Sequence, residues 1–187
     1  HSNLTAIGAQ LTRDTSLNRF YPTGGTYLTF TSDFFSQALS SKYSFQSYKA
    51  TFSKYWSVST KQVLAYNAFF CATGGSPPFY GNCIYATNNQ LRGYTAGQYF
   101  TRYSLTTQLE YRLELPKRFG LVAFGGLGET IPGGSQLFQR VQNSHFLPDV
   151  GGGLRFQLDK KHHVNLRADV GVGRNDHTFA LGIGEAF

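Results

Sequence analysis

The residues that could do chemistry are two cysteines, five histidines, ten carboxylates and seventeen lysines and arginines in 187 positions. Cys71 and Cys83 bracket a Gly/Pro-containing segment, residues 72–82. A disulfide closing it would suit an oxidising periplasm or cell surface and contribute on the order of 3 kcal/mol; two reduced thiols are the other reading. No histidine neighbours either cysteine, so no metal is expected there. His162 and His163 follow Asp159. Adjacent side chains on a strand point to opposite faces, and the segment reads as a polar turn, so no metal ligands are assigned to it either. His145 or His177 with Ser144 could be imagined as a lipase pair, but no oriented acid accompanies them. There is no Gly-x-Ser-x-Gly elbow and no phosphate loop. No catalytic residue, metal or cofactor is expected, and the chain is not read as an enzyme.

The elements around these residues alternate with period two. In 103–115, Tyr103, Leu105, Thr107, Leu109, Tyr111, Leu113 and Leu115 share one face. Ser104, Thr106, Gln108, Glu110, Arg112 and Glu114 share the other, which a helix would smear around its circumference. Residues 163–173 repeat the pattern, with Val164, Leu166, Ala168, Val170 and Val172 opposite Asn165, Arg167, Asp169, Gly171 and Gly173. Residues 177–187 do so again. Phe179, Leu181, Ile183 and Phe187 fall on the apolar side with one charge, Glu185, and Gly182 and Gly184 on a small-residue side. Weaker strands are expected over 4–13, 26–34, 43–58, 62–73, 119–130 and 151–159, which makes nine candidates.

These properties point to an all-β antiparallel up-and-down transmembrane barrel of about eight strands. Mean hydropathy is −0.28 although 41% of residues are apolar. Nothing approaches the ~20 apolar residues of a spanning helix, but barrel strands hide from such a measure. Several candidates are 9–13 residues long, as a tilted membrane strand requires. Short links (59–61, 116–118, 160–162) alternate with long ones (35–42, 74–101, 131–146), as periplasmic turns alternate with outer loops. A soluble lipid-binding barrel would share the alternation and reverse its faces. The net charge of +7 is spread along the chain and does not cluster as nucleic-acid binding requires. Anionic lipid headgroups or lipopolysaccharide are the more natural partners.

The segment Leu91-Arg92-Gly93-Tyr94 resembles the Arg-Gly-aromatic motif of a long loop in the outer membrane protein 85 (bacterial surface antigen) superfamily. That family includes the BamA and TamA assembly barrels and FhaC-type secretion pores. Thr12-Arg13-Asp14 with Phe20 to Gly25 resembles its periplasmic turn, Gln108 to Arg112 its next strand, and Gly182 to Phe187 its final strand. The resemblance covers nearly all of 1–187, read as a single barrel domain or as the C-terminal half of a larger one, without periplasmic POTRA domains. It implies that Arg92 folds into the lumen and pairs with an acid. The family's usual aspartate, in Phe-x-Asp-x-Gly, is replaced by Gly126 in Phe124-Gly125-Gly126-Leu127-Gly128. Glu110, Glu114, Glu129 and Asp169 are the candidate substitutes.

The resemblance further implies a bacterial outer-membrane location reached with a cleaved signal peptide. It implies a role in assembling or transporting outer-membrane proteins or lipids, and a final strand, with Gly182, Gly184 and Phe187, that is read by the assembly machinery. A passive structural or small-solute barrel is the alternative, and a lipid-modifying enzyme a third. An even strand number is normal for a closed single-chain barrel. Nine candidates therefore leave three arrangements: the first strand does not complete the wall, the wall is half of a barrel of about sixteen strands, or two copies pair as a homodimer.

Overall fold

The computed structural model describes residues 3–86, 91–131, 145–159 and 161–187. Ser144 and parts of three expected links lie outside these residues.

Nine long strands form one antiparallel sheet: β1 (Ala6–Asp14), β2 (Gly25–Phe35), β3 (Phe45–Ser59), β4 (Gln62–Gly75), β7 (Tyr103–Glu114), β8 (Phe119–Ile131), β9 (His145–Asp159), β10 (Val164–Gly173) and β11 (His177–Ile183). Each pairs with the next in this order. A two-residue ladder, β5 (Cys83–Ile84) with β6 (Phe100–Thr101), lies within the long connection from β4 to β7. The expected first strand is thus part of the wall, and all nine candidates have a counterpart in it among the described residues.

The faces of the sheet identify its solvent. On β7, Leu105 and Leu109 are each 48% exposed, whereas Gln108, Glu110 and Arg112 are at most 1% exposed. On β10, Val170 and Val172 are exposed and Asn165, Arg167 and Asp169 are buried. Apolar side chains outside and charged ones inside invert a soluble barrel and match a wall in lipid around a polar lumen. Lys54 lies over the outward-facing Trp56 ring near the short-turn end, a pairing suited to the membrane–water interface.

Two boundaries differ from the expectation, with consequences for the lumen. Strand β9 begins at His145, not at 151, because the Gly151-Gly152-Gly153 run is a place where ring and chain pack closely, not a strand start. Strand β11 stops at Ile183, not at 187. Gly184 adopts φ +85°, its amide donates to the Asn165 carbonyl at 2.7 Å, and the chain leaves the sheet. Alternation over 177–187 puts Glu185 on the apolar side, but its side chain lies inside the lumen and is only 2% exposed. Phe187 leaves the lipid face too, and its main-chain oxygen accepts from Arg112 Nη2 at 2.8 Å.

The long turn between β1 and β2 is locally specified. Asp14 accepts from the Ser16 amide at 2.9 Å and from its hydroxyl at 2.6 Å. Tyr21 is buried against the short-turn end of the sheet, stacked on His163 with centroids 6.0 Å apart. The edges β1 and β11 are not paired with each other among the described residues. Eight successive antiparallel pairings make these two strands run the same way, so joining them would need a parallel pair. All nine residues of β1 are exposed, on its lumenal as well as its outer face.

Candidate functional site

Arg92 lies in the lumen, 5% exposed, at the tip of the β4–β7 connection. Its Nε donates to Gln108 Oε1 at 3.1 Å and its Nη1 to Asp169 Oδ2 at 3.0 Å. Its Nη2 pairs with Glu110 Oε2. The guanidinium plane rests 3.6 Å from the centroid of the Phe124 ring. A planar fork serves three acceptors and a ring face at once, which a lysine ammonium could not do.

Of the four acids proposed as partners, Glu110 and Asp169 are brought to Arg92. Glu129 and Glu114 make no ion pair with Arg92 among the described residues. Glu129 shares the outward parity of Leu127 and pairs across the ladder with exposed Leu105. Glu114 has the lumenal parity but lies four residues beyond Glu110, about 13 Å along the strand, where it lines a cavity with Tyr21 and Arg118.

The position of the missing aspartate is filled from elsewhere. A Cβ at Gly126 would collide with Leu91 and with Asp149, its ladder partner on β9. Leu91 therefore occupies the volume, and Asp149 supplies a carboxylate beside it. Asp149 Oδ2 accepts from the Gly93 amide at 3.0 Å and from Gln108 Nε2 at 3.2 Å. Gly93 has no room for a side chain, since a Cβ would lie 2.7 Å from Asp149 Cβ and 2.8 Å from the Gly173 nitrogen. Small residues on the inner wall make the seat. Gly171 abuts the Arg92 backbone and Gly173 the Tyr94 ring.

Tyr94 completes the docking. Its hydroxyl donates to the Pro148 carbonyl at 2.7 Å and accepts from the Arg174 amide at 3.0 Å. Tyr94, Tyr85, Leu91, Ala86 and Leu147 form a buried cluster at the outer mouth. The Thr95 amide donates to Asp176 Oδ2 at 2.6 Å, which ties the loop to the β10–β11 turn. At the other end of the connection, Cys71 and Cys83 form a disulfide that fixes the start of the loop to β4.

The ionic contacts continue beyond Arg92. Arg112 Nε donates to Glu110 Oε1 at 2.6 Å and lies 3.9 Å from Glu185 Oε2. Arg155 Nε donates to Glu185 Oε2 at 2.8 Å, and its Nη1 to Asp169 Oδ1 at 2.5 Å. Arg92, Glu110, Arg112, Glu185, Arg155 and Asp169 therefore close a ring of alternating charge that is neutral overall. Each charge in the ring is flanked by at least two of opposite sign, the condition under which buried ions are tolerated; Arg155 also lies 4.0 Å from Glu110, and a fourth buried arginine, Arg167, lies 3.8 Å from Asp169.

No motif in the sequence marks Arg155 or Asp149. Both have lumenal parity on β9, but starting that strand at 151 puts Asp149 in a loop and hides the relation. Glu185 stands out in the sequence only as the one charge on an apolar face. A carboxylate on an apolar face directly after a glycine is the signal that the strand ends there.

The chain matches the Omp85 superfamily domain over residues 1–187. No curated protein matches it.

Proposed function

The chain belongs to the Omp85 superfamily of outer-membrane assembly and transport barrels, and from that premise we propose that it is a wall segment of such a machine, working through its lumen and its strand seam. The observation that carries this reading is the lodged loop. Arg92 is held by Gln108, Glu110 and Asp169 and packed on Phe124, so the outer mouth is plugged on the β7–β11 side. A passive wall needs no such costly buried ion set. The seven-residue β11 offers an unpaired edge, and its glycine-terminated end weakens pairing there. That edge suits a seam that opens sideways to admit or release a strand.

In this proposal the nine strands form the C-terminal part, a little over half, of a barrel of about sixteen strands. Supporting it are the parallel sense of β1 and β11, which disfavours simple closure, and the uncovered lumenal face of β1. A second copy facing the first is the other way to cover that face. The barrel would sit in a bacterial outer membrane, contacting lipid and lipopolysaccharide, with its final segment read by the assembly machinery during insertion.

Depletion in cells tests the role. Loss of other outer-membrane barrels, of surface lipid or of a secreted protein supports it. An unchanged outer membrane on depletion leaves the passive barrel instead.

A further inference from the structure

The strand that borders the seam does not end in the sheet. After Ile183, Gly184 turns at φ +85° and the following residues enter the lumen. Glu185 meets three partners there: Arg155 Nε at 2.8 Å, Asn165 Nδ2 at 2.8 Å, and Arg112 Nε at 3.9 Å. Ala186 is buried, and the Phe187 main-chain oxygen accepts from Arg112 Nη2. Arg112 Nη1 also donates to the Pro22 carbonyl of the β1–β2 turn at 3.2 Å. Arg155 and Arg112 are themselves held by Asp169 and Glu110, the two acids that hold Arg92. The tail of the seam strand and the tip of the loop are therefore bound to opposite sides of one ionic ring.

We infer that Glu185 is a positioning residue that couples the seam to the lumenal loop. With Glu185 seated, Arg155 and Arg112 are drawn toward the tail and share Asp169 and Glu110 with Arg92. With the tail withdrawn, the ring holds three arginines against two acids. Arg155 and Arg112 then lose a partner and compete with Arg92 for the two that remain. Withdrawal of the tail loosens the loop, and by thermodynamic reciprocity withdrawal of the loop loosens the tail. Glycine at position 184 lets the tail enter, and Thr178 of the same strand reaches the other end of the relay by donating to the Arg92 carbonyl. The inference adds a coupling to the seam reading and concerns no substrate, so it can fail while the role in assembly or transport stands.

The test is amide hydrogen exchange on the whole protein in membranes, comparing Glu185→Gln and Arg92→Gln with the unaltered chain. Glu185→Gln is expected to speed exchange at 91–95 by roughly tenfold as well as at 184–187. Arg92→Gln is expected to speed exchange at 184–187, where the Gly184 amide is otherwise held by Asn165. The outer end of β3, residues 45–49, should not change; Tyr55, toward its other end, has its ring centroid 5.8 Å from the Arg112 guanidinium carbon, so that end is no control. If each variant loosens only its own segment, or if 45–49 loosens equally, the coupling is wrong. Should Glu185→Gln not fold, Asn165→Ala removes one neutral contact of Glu185 without stranding a charge, and the same segments are compared. Exchange rising at 184–187 but not at 91–95 then overturns the inference.

Discussion

Arg92 and Asp169, 77 positions apart in the chain, meet in the lumen at 3.0 Å. The contact joins the tip of a loop to the inner face of β10, and the same aspartate holds Arg155 from the other side at 2.5 Å. Replacing the arginine would leave Glu110 and Asp169 facing each other with less positive charge. Arg92→Gln is expected to cost about 3–5 kcal/mol of folded-state stability, the penalty for breaking a buried pair. Arg92→Lys should recover little of it, because the ammonium cannot serve all three acceptors and the Phe124 face. Heat resistance of the folded band in detergent electrophoresis reads the loss.

The seat of the loop is tested by adding single methyl groups. Gly93→Ala is expected to expel the loop, since the new carbon would lie 2.7–2.8 Å from Asp149 and from the β10 backbone. Gly125→Ala, one position along β8 from the crowded Gly126, meets only the Asp149 carbonyl at 3.6 Å and should be tolerated. Protease cleavage within 91–99 should appear in the first variant and not in the second.

The inverted sheet makes a third prediction. Leu109 is 48% exposed on the outer face near the middle of β7. Leu109→Arg is expected to destabilise the protein in lipid by about 2–4 kcal/mol, falling toward zero for the same change at the strand ends. A soluble barrel would tolerate arginine at such an exposed position. Unfolding midpoints in bilayers, compared along the strand, decide between the two.

Asp176, in the turn between β10 and β11, has its carboxyl held below the usual value of 3.8, chiefly by the Thr95 amide it accepts. A folded-state value below the unfolded one stabilises above the unfolded value, and the effect is lost as pH falls through the folded one. Protection of the Thr95 amide should be flat from neutral pH down to about 4 and fall below it. Asp176→Asn should remove that pH dependence. Protection factors for 94–96 measured across pH provide the check.

The wall was legible in the sequence because alternation is a local property. Residues 103–115 and 163–173 display it in full, and every expected strand has a counterpart in the sheet. What alternation could not say is which face meets solvent. That required the buried Glu110 and Arg112 to be seen beneath exposed Leu109 and Tyr111. Arg92 was legible through its motif, and two of its acids through their parity on β7 and β10. Asp149, Arg155 and Glu185 were not, because their roles depend on long-range register. Asp149 matters only once Gly126 is seen to face it across the ladder. Glu185 matters only once the strand is seen to end two residues earlier.

That the Leu91–Tyr94 segment sits inside a membrane barrel is tested most directly by a cysteine pair. Thr95 and Asp176 are joined in the structure through the Thr95 amide and the Asp176 carboxylate at 2.6 Å. With Thr95→Cys and Asp176→Cys in the whole protein, mild oxidation of intact membranes should cross-link the loop to the β10–β11 turn, and adding Arg92→Gln should reduce the yield. No cross-link in the unaltered background, with both cysteines instead labelled from outside by a membrane-impermeant maleimide, would mean that the loop lies outside the lumen and would contradict the site described for it.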